Sequence, residues 1–136
     1  MPRPEKNRKI LQPPKMAGFK PFGIPRYKLE VVKLSYEEYE CIRLVNYEML
    51  QQKEAALLMN VSRPTLTRIY NRALKTIAKA FVEGKAIEID GGNYEFSQEW
   101  YRCKRCFKLV EGENNHNKCE KDTNTIELIS LNNIKK

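Results

Sequence analysis

Long apolar runs are absent from this sequence, and the residues most catalytic sites lean on are scarce: it holds one histidine and one tryptophan. No stretch approaches the ~20 apolar residues that span a bilayer, so no membrane-crossing helix is expected. Met1-Pro2-Arg3-Pro4 leads into no apolar segment, so the start does not read as a secretory signal, and a cytoplasmic protein is expected. In that compartment the four cysteines point to metal or free thiols rather than disulfides. No nucleophile–base pair, phosphate-cradling loop or pair of cleft acids can be picked out, so the chain is not expected to be an enzyme. A heptad zipper is missing too, which leaves any homodimer surface unidentified.

What is present is positive charge, unevenly placed. The 136 residues carry a formal charge of +8, which favours a polyanionic partner. Residues 1–34 hold nine Lys/Arg against two acids, and 51–80 hold six against one. Between and after them, 35–50 and 81–102 are net acidic. Two basic blocks separated by acidic ones suggest a binding face more than general solubility.

Six of the seven prolines fall within residues 1–28, which excludes a regular helix there. Arg3, Lys6, Arg8 and Lys9 could form an arm along phosphates or in a minor groove; a solvated tail is the plain alternative. Phe19, Phe22, Ile24 and Tyr27, in a Pro/Gly setting, suggest a loop folded back onto the core. Glu30 to Leu34 is a short strand candidate. Ser35 then reads as an N-cap with Glu38 completing a capping box, opening a support helix from Tyr36 to about Asn46. Glu37, Glu38 and Glu40 would repel phosphate and should sit away from it. Cys41, alone on this helix, reads as a small buried core residue rather than a metal ligand.

The organising stretch is Gln51 to Phe81. A first helix, about Gln52 to Met59, offers Ala55, Leu58 and Met59 at helical spacing. Asn60 enters the left-handed region cheaply and suits the corner. Val61 reads as an apolar plug, Ser62 as the next N-cap, and Pro64 falls in a first turn where its missing N–H costs nothing. Leu66, Ile69, Ala73, Leu74, Ile77 and Phe81 form an apolar stripe. Arg68, Arg72, Lys75 and Lys79 form a basic one. An ordinary α-hairpin with a solvated basic face is the bland alternative. The Ala55-Ala56 pair, the short turn and the polar first turn favour a helix-turn-helix suited to the major groove. In that reading Thr65, Thr67, Arg68 and Asn71 face base edges, while Arg63, Arg72, Lys75 and Lys79 lie on phosphates.

Beyond Gly84, alternation over Ala86/Ile87/Ile89 and Tyr94/Phe96 around Asp90-Gly91-Gly92-Asn93 reads as a strand, a turn and a second extended piece, one of which could pair with Val31-Val32. The last third carries Cys103-x2-Cys106-x9-His116-x2-Cys119. Three thiolates and one imidazole in two tight pairs suit a single structural Zn²⁺. A redox pair is the alternative, but nothing here resembles its usual βαβ setting.

Met1-Pro2-Arg3-Pro4, Pro13-Pro14, Phe19-Lys20-Pro21 with Gly23-Ile24-Pro25, and Gly84-Lys85-Ala86 with Gly91-Gly92-Asn93-Tyr94-Glu95 resemble the UPF0251 (DUF134) family over roughly residues 1–95. Those are small prokaryotic proteins presumed to bind DNA through a helix-turn-helix like region 4 of sigma-70 factors. Glu54-Ala55-Ala56, Val61-Ser62-Arg63 and Arg72-Ala73-Leu74 also look like that region. The resemblance implies base-edge contacts from Arg63, Thr65, Thr67 and Arg68, and a backbone contact from Arg72. Pro64 and Thr65 stand where sigma factors often carry charge, so promoter −35 specificity is not carried over.

The expectation is thus a mainly α protein. A basic Pro-rich arm and loop (1–28) precedes a sigma-70 region 4-like helix-turn-helix domain (29–96), and a small zinc-ribbon-like β module with a Cys3His site (97–136) follows. The expected function is sequence-specific double-stranded DNA binding in transcriptional regulation. Alternatives from other classes are an adaptor docking on RNA polymerase or another protein, and RNA binding.

Overall fold

The computed structural model describes residues 7–92, 94–96, 98–103, 108–111 and 128–130. Its elements, in chain order, are β1 (Arg8–Ile10), β2 (Gly18–Phe19), a 3-10 turn (Arg26–Lys28), β3 (Val31–Leu34), α1 (Tyr36–Ile42), a π-helical turn (Arg43–Tyr47), α2 (Gln52–Met59), α3 (Arg63–Glu83), β4 (Ala86–Ile89), β5 (Tyr94–Phe96), β6 (Trp100–Cys103), β7 (Leu109–Glu111) and β8 (Leu128–Ser130). The expectation of a mainly α fold is overturned. Three α-helices share the described residues with eight short strands in three small sheets, an α/β mix. The strands are two to four residues long and most pair with partners distant in sequence, so their local signal is weak.

The central sheet has the order β2-β4-β3. Val31 lies opposite Ala86 and Leu34 opposite Ile89 in parallel register, so all the helices form the crossover between β3 and β4. Gly18 and Phe19 add an antiparallel edge. Leu34 and Ile89 are buried against Ala73, which seats α3 on the sheet. A parallel pair, β1 with β5, sets Arg8 opposite Tyr94 and Ile10 opposite Phe96. There Tyr36 and Tyr94 meet with ring centroids 4.6 Å apart. Residues 1–28 therefore do not stand apart as an arm where they are described: they supply strands to two sheets.

Ser35 starts α1 as its sequence suggests. Its hydroxyl accepts the Glu38 N–H at 3.1 Å, and the Glu38 carboxylate accepts the Ser35 N–H at 2.8 Å. The α-helical run stops at Ile42, short of Asn46, and continues as the π turn, closed by the Glu48 N–H on the Arg43 carbonyl at 2.8 Å. Met49 follows at φ 61°, left-handed without a glycine and 79% exposed. An L side chain there costs roughly 1–2 kcal/mol, partly offset by the entropy a glycine adds to the unfolded chain. Met49→Gly is expected to stabilise the fold by about 0.5–1 kcal/mol. A urea midpoint that falls instead would show that Met49 packs in a way its exposure hides.

The main core gathers Cys41, Leu44, Ala55, Ala56, Met59, Leu66 and Ile69. Cys41 is fully buried with its Sγ 3.6 Å from Met59 Sδ. Burial, with Glu37 and Glu40 adding, pushes its thiol up to about 12, so it sits in the core as a protonated group. Two apolar expectations need correcting. Leu74 (41%), Phe81 (87%) and Leu58 (40%) are exposed rather than part of the packed stripe. Phe22 (102%), Tyr27 (84%) and Phe19 (60%) are exposed too, not folded onto the core. Small residues at Ala73, Ala80 and Ala86 let helix and sheet approach closely, and that contact fills the interior without them.

Candidate nucleic-acid interface

α2 and α3 are joined by a three-residue corner. Asn60 adopts φ 58°, ψ 45° as the left-handed cap of α2, and the Val61 N–H reaches back to the Ala56 carbonyl at 3.0 Å. That bond closes the carbonyl end of the helix. Ser62 then returns to extended geometry, and its Oγ accepts the Thr65 N–H at 3.3 Å. Ala55 and Ala56, buried with single-carbon side chains, allow the two helices to approach closely.

The face of α3 opposite Leu66, Ile69, Ala73 and Ala80 is the polar one. Arg63, Arg68, Asn71, Arg72, Lys75 and Lys79 are all exposed, while Thr65 and Thr67 are half-buried. At 3.6 residues per turn the eight side chains fall on one broad side of the helix. The first turn is ordered internally. Ser62 Oγ stands 2.9 Å from Thr65 Oγ1, and Arg68 Nη2 donates to the same Thr65 oxygen at 3.1 Å. Thr65 thus accepts from Ser62 and Arg68, which leaves its own O–H as a donor and holds the Arg68 fork against the helix start.

Thr67 is placed differently from a free base-reading residue. Its Oγ1 lies 2.6 Å from the Gln52 side-chain amide and 3.0 Å from the Arg63 carbonyl. One hydroxyl proton serves one acceptor, and a Gln amide can be turned so that its NH2 donates to Thr67 while Thr67 donates to Arg63. Either way Thr67 ties the start of α2 to the start of α3. Gln52, absent from the expected set, is the residue sequence reasoning missed; a polar side chain in the first turn of α2 was the only sign of it.

The acids of α1 have partners inside the fold. Glu37 Oε2 lies 3.2 Å from Arg8 Nε, both largely buried. Glu40, fully buried, accepts from Arg43 Nε at 2.7 Å, Arg43 Nη2 at 3.1 Å and the Leu11 N–H at 2.7 Å. Arg8 is therefore engaged by Glu37 rather than projecting as a phosphate arm; Arg3 and Lys6 lie outside the described residues. Of the expected metal ligands only Cys103 is described, buried at the end of β6. Cys106, His116 and Cys119 lie outside the described residues, and among those described no three His, Cys, Asp or Glu gather to hold an ion. Among the same residues no helix is long and apolar enough to cross a membrane.

A family described as "Protein of unknown function DUF134" matches residues 1–97, the stretch that carries both basic blocks, the α2–α3 corner and the central sheet. The chain belongs to the DUF134 family. Curated relatives agree under the designation UPF0251 protein. One from Thermoanaerobacter sp. (strain X514) is 48% identical over 112 residues, covering 82% of this chain and 99% of that protein. Another, from Caldanaerobacter subterraneus subsp. tengcongensis, is 52% identical over 95 residues, 70% of this chain and 80% of its own. A third, from Chloroherpeton thalassium, is 44% identical over 113 residues, 83% and 75% respectively. No solved structure matches. Within the matched stretch of this chain, the α2–α3 pair is the element that combines an anchored back with a cationic front.

Proposed function

We propose that this chain binds double-stranded DNA by laying the first turns of α3 in the major groove, and that it acts in transcriptional regulation. The observation that carries the reading is the polar face of α3. Six exposed polar side chains, five of them cationic, stand on a helix whose opposite side is buried and whose first turn is pre-ordered by Ser62, Thr65 and Arg68. Arg68 and Asn71 are the base-edge readers, with Thr65 beside them. Arg63, Arg72, Lys75 and Lys79 lie on phosphates, and Thr67 positions the helix rather than reading bases. The aligned peptide dipoles of α3 add a partial positive charge at this end toward phosphate.

The test is fluorescence anisotropy on a labelled duplex pool across a salt series, with the bound fraction sequenced. A steep loss of binding with salt and an enriched motif are expected. Arg68→Ala should flatten the motif, since a bidentate base contact discriminates by ~1–3 kcal/mol. Lys75→Ala should weaken all sequences alike and lower the salt slope by about one. Folded protein that binds no duplex at low salt would overturn the reading in favour of a protein-docking adaptor. Preference for single-stranded RNA over duplex would overturn it in favour of RNA.

A further inference from the structure

Two helices joined at a corner leave the angle between them to be set, and here a polar bond spans the open side. Residues 60–62 join the end of α2 to the start of α3. Away from that corner, the Gln52 side chain in the first turn of α2 meets Thr67 Oγ1 at 2.6 Å. The bond also fixes where α2 begins relative to the polar face of α3. At about 100° per residue, Thr67 stands about 40° round α3 from Asn71, so it borders the side assigned to base edges. The start of α2 lies beside that border.

Within its first turn α2 sorts its charges. Gln52 faces α3. Lys53 stands about 100° further round and Glu54 about 200°, so the cation is on a flank and the acid points away from α3. That flank is the outer one, because Ala55, about 200° from Lys53, is fully buried in the core. The Lys53 side chain is exposed, and among the described residues it makes no ion pair or hydrogen bond.

We infer that Lys53 is a further DNA contact, taking a phosphate at the rim of the groove, and that the Gln52–Thr67 bond positions it. The inference deepens the DNA reading and rests on it. A helix with its side chains is about 10–12 Å across and fills a major groove about 12 Å wide. A second helix packed about 8–10 Å from the axis of the first finds no room between the strands. Where its start comes level with the groove, it meets the ridge of phosphates. A lysine suits that place: its ammonium reaches a phosphate oxygen as a point charge on a flexible four-carbon stem. How close it comes depends on the angle between α2 and α3, which the bond across the open side sets. Gln52 and Thr67 are positioning residues here, acting on phosphate through Lys53.

Fluorescence anisotropy of the full chain on the labelled duplex pool, over a salt series, tests both parts. Lys53→Ala should lower the slope of log K against log salt by about 0.9. With convergence near 1 M salt, that weakens binding about fivefold at 0.15 M. Lys53→Arg should keep the wild-type slope, and neither variant should alter sequence preference. Thr67→Val and Gln52→Met each remove the bond with little change of shape. In either background, Lys53→Ala should cost less than about twofold, whereas in Thr67→Ser, which keeps the hydroxyl, it should cost the full fivefold. Lys53→Ala with an unchanged slope, beside a wild type that binds duplex, would overturn the contact and leave the reading of α3 intact. A fivefold cost that persists in both Thr67→Val and Gln52→Met would overturn the positioning role. A folded wild type that binds no duplex would overturn the DNA reading and this contact with it.

Discussion

Glu40→Ala is expected to cost the fold about 3–5 kcal/mol, the range for removing one partner of a buried ion pair. Glu40 is fully buried at the junction of three segments. Its two oxygens take a forked pair of bonds from Arg43 at the start of the π turn and the N–H of Leu11 just after β1. Removing the carboxylate leaves the Leu11 N–H without that acceptor and the largely buried Arg43 guanidinium with only its longer 3.7 Å ion pair to Glu48, and each loss is costly. Against a total stability of ~5–15 kcal/mol the loss would take a large share. Glu40→Gln keeps the shape and an acceptor for Leu11 but loses the charge that matches Arg43, so it should fall between. Urea unfolding followed by circular dichroism measures both. If Glu40→Ala stayed within about 1 kcal/mol of wild type, the site would be relaxing or admitting water, and its role as the tie between N-terminal segment and helices would be lost.

This residue also shows where sequence reading reached its end. Glu40 lies on the same helix as Glu37 and Glu38, and three acids in four positions read naturally as a solvated, phosphate-repelling face. Their destinations differ because partners come from elsewhere: Glu38 caps its own helix, Glu37 takes Arg8, and Glu40 takes Arg43 and Leu11. Only the capping box and the Glu40–Arg43 spacing of three are local enough to read. The α2–α3 stretch was legible for the same reason. Asn60, Ser62, Pro64 and the Ala55-Ala56 pair each act within a turn of where they stand, and α2 spans the expected Gln52 to Met59. The pairing of Val31-Val32 with Ala86-Ile87 was legible from alternation on both sides, whereas β1 and β2 escaped notice because Arg8 pairs with Tyr94 and Gly18 with Glu88, far along the chain, in a proline-rich stretch. Phe81 and Leu74 illustrate the opposite error: helical spacing marked them as core, but each stands about 100° round α3 from the buried Ala80 and Ala73, off the line that meets the sheet.

The triple substitution Arg72→Ala, Lys75→Ala, Lys79→Ala is expected to weaken duplex binding about 100-fold at 0.15 M salt while leaving the fold intact. All three side chains are exposed on the polar side of α3, and among the described residues none makes a hydrogen bond or ion pair, unlike Arg68, whose guanidinium bonds Thr65. Removing them costs no internal bond of the kind that Glu40 makes. Each phosphate contact contributes about 0.9 to the slope of log K against log salt, so losing three lowers that slope by about 2.7. If wild type and variant converge near 1 M salt, where counterion release no longer drives binding, the ratio at 0.15 M is roughly (1/0.15) to the power 2.7, or about 10². Sequence preference should survive, because in the proposed orientation the three side chains lie on phosphates rather than base edges. That separates them from Arg68→Ala, which should alter preference more than slope. A triple variant with an unchanged slope would mean that phosphates lie on another face of the molecule, and the orientation assigned to α3 would have to be abandoned even if the protein still bound DNA.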